Sequence, residues 1–205
     1  MRMVVLTVGE ADRQLEPLLR CNSSLSILHA QAPWVSLHGG GPDLVILPQP
    51  QRLSCPRAIL LLRRGGQLPQ TVHCGQLVAV ADSSDTRSLQ QLAKRQLPAV
   101  TCGFSHQDTF TLSSLTSDSA VISLQRSLRA FDGSTSEPFE LPVSLPHPMD
   151  PFTLLSCAAV FCLLGQKNPL IGLPLWAVHL PTQKQWGPSS FSQGISPSLH
   201  KNFQS

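Results

Sequence analysis

Runs of apolar and β-branched residues no longer than a strand recur through the first half of the chain, at residues 3–8, 43–47, 58–62, 77–82 and 99–103. Polar residues barely interrupt these runs, so each strand must be covered on both faces. A parallel sheet flanked by helices provides that cover, whereas an antiparallel sheet with one wet face would alternate apolar and polar residues. Helical patterns lie between the runs. Leu15, Leu18 and Leu19 stand at i, i+3, i+4 in the segment from Glu10 to Arg20, with Pro17 in its first turn. Residues 25–30 read as a further strand, followed by a loop at His38-Gly39-Gly40-Gly41-Pro42.

The best-formed unit is a βαβ element over residues 77–103. Asp82, Ser83 or Ser84 can accept hydrogen bonds from the first helical amides. Asp85 suits the positive end of the helix dipole, and Lys94 and Arg95 suit the negative end. Leu89 and Leu92 face inward, and Pro98 ends the helix ahead of the next strand.

After Gly103 the period changes to two, with alternating runs at 109–115, 120–126 and 139–145 and turns at 116–118 and 132–134. This predicts an antiparallel β-meander. Asp150-Pro151 then opens a helix, Asp as cap and Pro at the first helical position, which ends at Gly165 and carries no charge. Its fourteen residues from Pro151 to Leu164 span roughly 21 Å, short of a ~30 Å hydrocarbon core, so a membrane span is not expected. A core helix or a partner-binding helix over 152–164 fits better. Residues 166–205, rich in Pro, Ser and Gln, read as a poorly ordered tail with a docking segment at Trp176 and a second route to a protein partner. The expectation is one α/β domain over 1–165, a Rossmann-like, mostly parallel sheet with a C-terminal antiparallel β-meander and a closing apolar helix.

Composition narrows the function classes. The net charge is +3 with a pI near 8.7, the arginines are scattered, and the chain has no tyrosine. Nucleic-acid binding, which needs a basic stripe with aromatic platforms, is not expected. The amino terminus enters its first strand with no charged leader or cleavage signal, and the six cysteines are spaced as reduced thiols rather than as a disulfide framework. Both features point to a cytoplasmic protein.

The chemistry expected of such a sheet is only partly present. The first strand turns at Val8-Gly9-Glu10-Ala11-Asp12, one glycine followed by two acids that repel phosphate, and no G-x-x-x-x-G-K-S/T occurs. Gly39–Gly41 and Gly65-Gly66 lack a lysine and a following helix. Cys102 with His106 and Cys74 with His73 are nucleophile and base neighbours in sequence only, and a strand-end cysteine ordinarily belongs to the core. The seven histidines show no metal-ligand spacing. Asp82 and Asp85 stand where α/β sheets hold ligands, although helix capping also accounts for them.

From Leu77 onward the order of features resembles the Mur ligase family. The matching residues are Ala81-Asp82 with Asp85, Leu89–Ala93, Val100-Thr101-Cys102-Gly103, and His147 ahead of Ser156–Gly165 with Ala158-Ala159. The resemblance covers roughly 77–165 and implies the central domain of an ATP-dependent amide ligase. Val80 stands where the family has its adenine-contacting Asn and Ser83 where it has its second Asp, and the ATP-binding loop has no counterpart. It therefore implies a degenerate relative serving as a non-catalytic binding or scaffold protein without cofactor. The alternative it implies is an ATP- and magnesium-using ligase-related enzyme or subunit in cell-wall precursor metabolism, with Asp82, Asp85 and His147 as its site.

Overall fold

β1 (Met3–Val8) lies between two parallel neighbours, β3 (Leu44–Pro48) and β4 (Arg52–Leu62), and this position organises the first half of the computed structural model, which describes residues 3–30, 42–49 and 52–181. α1 (Leu15–Cys21) follows β1 and leads to β2 (Ile27–His29) on the far side of β3. On the other side, β5 (Thr71–Asp82) pairs with β4, and α2 (Thr86–Lys94) carries the chain to β6 (Ala99–Gly103). The apolar residues of α1 join one core cluster and Leu92 of α2 joins another. Crossovers that move in opposite directions on opposite faces have one and the same hand, as the rule for parallel connections requires. The predicted loop at 38–42 lies outside the described residues except for Pro42.

Among the described residues, no helix stands between β3 and β4. Pro48 is level with Thr7, near the carboxyl end of β1, whereas Ala58 is level with Val4 near its amino end. Residues 49–57 must therefore make the return journey, and from Arg52 they do so as extended chain paired with the first half of β5. Pro56, which has no N–H to give, is the position that this pairing skips. Cys55, Val72 and Cys74 from this ribbon pack against the second core cluster. Strands β4 and β5 thus begin well before the apolar runs that predict them, because their first halves are only partly covered.

The meander appears as expected and belongs to the same sheet. β7 (Phe110–Leu115) pairs with β6 in parallel through Cys102–Phe110 and Gly103–Thr111, and β8 (Ser119–Leu124) runs antiparallel to β7. A small separate hairpin, β9 (Leu128–Arg129) with β10 (Thr135–Ser136), precedes β11 (Phe139–Ser144), which runs antiparallel to β8. Among the described residues, ten strands form one sheet, ordered β2-β3-β1-β4-β5-β6-β7-β8-β11 and ending in β12 (Trp176–Ala177). The fold is mixed α/β, with a large, mostly parallel sheet extended by antiparallel strands.

α3 (Pro151–Leu163) begins as its sequence dictates, with Asp150 accepting from the Thr153 amide and Pro151 in the first turn. Every residue from Phe152 to Leu163 is buried. An uncharged helix requires cover on all sides, and α1, strands β5, β6 and β7 and the β9 hairpin pack against it. β12 lies at the opposite edge from β2, yet it reaches α1: Trp176 Nε1 and the His179 amide both donate to Asn22 Oδ1, at 3.1 and 2.9 Å, and Asn22 Nδ2 donates to His179 O at 2.8 Å. Trp176 also meets Phe161 edge-on, with ring centroids 6.0 Å apart. Gly165 ends the helix at φ +66, where a Cβ would lie 2.2 Å from both Asp132 carboxylate oxygens.

Two expectations change here. The 152–164 helix has no free face for a partner, because its own chain encloses it. The first part of the supposed tail, residues 166–181, packs on the core through Asn168, Leu170, Trp176 and Val178, while residues 182–205 lie outside the described residues. Among the described residues, no helix is long and apolar enough to cross a membrane.

Asn22→Ala tests the closure. It leaves the Trp176 N–H without its acceptor, and an expected loss of about 1–3 kcal/mol is readable in urea unfolding. Faster hydrogen exchange at the amides of 176–179 should accompany the loss.

Candidate functional site

The chain leaves β1 in one direction, toward β2, and later crosses back to β4 on the other side of β1. The carboxyl ends of β1 and β4 therefore flank the topological switch point, where open α/β sheets hold their ligands. Gly9 sits at that point with φ +98, and a Cβ on it would lie 2.6 Å from Arg63 O. This glycine allows two strand ends to pack together. A cleft of about 590 Å³ beside it is lined by Glu10, Gln49, Arg64, Gln67 and Gln70.

A partly buried ionic cluster close to this edge joins three elements. Arg63, next after β4, pairs with Asp12 of the β1–α1 loop, and it donates through its other terminal nitrogen to Asp150 at 2.9 Å. The Thr153 hydroxyl accepts from Arg63 at 3.0 Å and lies within donating distance of Asp12 at 2.7 Å and Asp150 at 2.8 Å. The Asp12 side chain is only 5% exposed. The guanidinium stands 5.4 Å from the centre of the Phe152 ring, adding a cation–π contact. Burial works to raise the pKa of Asp150, but the Thr153 hydroxyl and amide and the Arg63 charge outweigh it and hold that carboxyl below its ordinary value.

Each helix that starts at this edge is closed by an aspartate. Asp12 accepts from the amides of Gln14 and Leu15 at 2.9 and 3.0 Å, ahead of α1. Asp85 accepts from the Ser88 amide at 3.2 Å and its hydroxyl at 2.6 Å, and the hydroxyl bond leads in holding its pKa down. Asp150 caps α3 at 2.9 Å. Asp82 accepts from the Ser84 amide, and Asp108 accepts from the Ser83 hydroxyl and the Ser105 amide. Gly103 lies so close to Ser83 and Asp108 that a Cβ would meet them at 2.2 and 2.5 Å.

The structure separates most of the residues singled out from sequence. Asp82 lines a cleft of about 320 Å³ together with Ser83, Phe104, Asp150 and Phe152. Asp85 turns into its own helix, and His147 is exposed, its ring nitrogen 2.9 Å from Pro148 O. Neither lines that cleft. Cys102 is fully buried and its thiol is pushed well up by that burial, with the Asp108 and Asp82 charges adding to it, while His106 is exposed. His73 and Cys74 are consecutive strand residues and point to opposite faces. Among the described residues, no His, Cys, Asp and Glu cluster has the makings of a metal site. Arg63 and Thr153 escape sequence reasoning altogether, since their partners lie in distant segments. Asp12 is visible in the sequence only as a charge unfavourable to phosphate.

No family model matches the chain, and no curated protein matches it. Among solved structures it is similar to the MurF ligase of Thermotoga maritima, determined in complex with ADP, at a TM-score of 0.46 and 15% identity over 84% of this chain. The match takes in 48% of the ligase, so the chain spans about half of that protein's length.

Removing Arg63 leaves two carboxylates facing each other without their cation. With Asp12 buried and Asp150 partly solvated, Arg63→Met should cost about 2 kcal/mol in chemical denaturation at neutral pH, and Arg63→Lys, which keeps the charge without the planar fork, should recover only part of it.

Acid should unfold the protein through its depressed carboxylates. Asp43, held mainly by Lys167, and Asp132, held mainly by Ser134, both titrate at about 2 rather than 3.8. A depressed carboxylate contributes stability that is complete above its unfolded pKa and is lost as pH falls through the folded one. The melting temperature should therefore fall most steeply between about pH 4 and pH 2. Asp43→Asn should make that fall shallower.

Proposed function

We propose that this chain is a cytoplasmic, non-catalytic binding or scaffold protein, a degenerate Mur-ligase-like central domain whose sheet edge no longer serves a nucleotide. One observation carries the reading. The backbone amides and the buried guanidinium that an α/β edge would offer to phosphate are already occupied by the chain's own Asp12, Asp85 and Asp150. An incoming phosphate would have to displace a carboxylate that is covalently tethered in place, and it would do so beside Glu10, Asp82 and Asp108. Both the entropy of tethering and like-charge repulsion oppose that exchange.

A binding role also draws support from the segment after α3. Ile171, Leu173 and Leu175 are large apolar side chains exposed within five residues, beside a groove of about 450 Å³ lined in part by Phe139, Leu141 and Leu170. Exposed apolar residues grouped in this way favour contact with another protein.

Thermal unfolding with millimolar MgATP separates this reading from a ligase-related enzyme that uses ATP and magnesium. The expected result is an unchanged melting temperature. ATP at a hundred times its Kd would add about 2.7 kcal/mol, a rise of roughly 5–10 °C for a chain of this size, and such a rise would overturn the proposal.

A further inference from the structure

Cys55 and Cys74 stand directly opposite one another on the parallel strands β4 and β5, and their sulfurs are 3.3 Å apart. Both are half-buried against the second core cluster, in the ribbon that makes the β3-to-β4 crossover. Neighbouring strands are spaced about 4.7–4.9 Å apart, which lies inside the Cα separations of about 4.4–6.8 Å that a disulfide accepts. Joining these sulfurs therefore asks for side-chain rotation and no rearrangement of the backbone. The skipped pairing at Pro56, next to Cys55, leaves the ribbon locally freer to make that adjustment. The other thiols are placed differently: Cys102, Cys157 and Cys162 are buried and Cys21 is exposed.

We propose that Cys55 and Cys74 form a redox-modified site, a dithiol that reacts with a low-molecular-weight disulfide such as oxidised glutathione and closes to an intramolecular disulfide that staples the crossover ribbon. Burial, followed by the hydrogen bond and charge of Cys74, pushes Cys55 up to about 12, and the two sulfurs already face each other. One of the pair, as its thiolate, attacks one sulfur of the glutathione disulfide and a glutathione thiolate leaves. The other thiol then gives up its proton and attacks the protein sulfur of the mixed disulfide, expelling the second glutathione. In sum, two protein thiols are oxidised to one disulfide and one glutathione disulfide is reduced to two glutathione thiols, with atoms and electrons in balance.

The test uses the full chain, reduced and then incubated with oxidised glutathione, with free thiols alkylated before intact-mass measurement and peptide mapping. The expected product has lost two hydrogens, yields a peptide cross-linked between Cys55 and Cys74, and melts roughly 5–10 °C higher than the reduced protein until dithiothreitol returns it. Cys55→Ser and Cys74→Ser should each trap glutathione on the remaining cysteine of the pair instead of forming the bridge. The proposal is overturned by stable glutathione adducts on either cysteine of the pair in the unmutated chain without a bridge, or by a bridge to any other cysteine. It is equally overturned if both thiols stay unreacted while Cys21 is modified, or if the bridge forms and the melting temperature does not rise.

Discussion

One arginine ties together segments that the chain order keeps far apart. Arg63 follows β4, Asp12 follows β1, and Asp150 and Thr153 open α3, so a single guanidinium fixes where the central helix enters the fold. Taking Arg63 and Asp12 out of water is costly unless they are paired, and they are paired with each other while Asp150, on the solvent side, takes the second guanidinium nitrogen. The helix that starts from this anchor has no charge and no exposed face from Phe152 to Leu163. Around it α1 and strands β5, β6 and β7 pack, β12 reaches α1, and Asn22 closes the seam.

How much of this was legible in the sequence depended on how local the signal is. The βαβ unit over 77–103, the Asp150-Pro151 helix start and the 116–118 turn are decided by neighbours in sequence, and they stand in the structure where the sequence places them. The first halves of β4 and β5 carry no apolar run, because the ribbon covers one face only, and so their periodicity gives no warning of them. The packing of residues 166–181 was equally hidden. Its Pro and polar content resembles a tail, and Trp176 is held by Asn22, more than a hundred residues away, as well as by Phe161 of α3.

The site divides along the same line. Asp85 is a helix cap on sequence grounds and remains one, whereas Asp82 gains a cleft only because α3 brings Asp150 and Phe152 beside it. His147 follows the end of β11 by three residues and is exposed, its ring nitrogen at Pro148 O. Charge, cap and burial are properties of residues; convergence is a property of the path between them. Arg63 shows the difference most sharply, since nothing within ten residues of it hints that it is the partner of Asp12 and Asp150.

The extended crossover bears on what the edge can bind. A helix between β3 and β4 would have begun at the carboxyl end of β3 and aimed its amides toward the switch point, as helices after parallel strands do. A strand-like crossover brings no such dipole. What borders the cleft there instead is Gln49, Gln67 and Gln70 with Glu10 and Arg64, side chains that balance donors against acceptors. The same choice of extended chain over helix places Cys55 against Cys74, so the ribbon that brings no helix dipole to the switch point also sets the paired thiols.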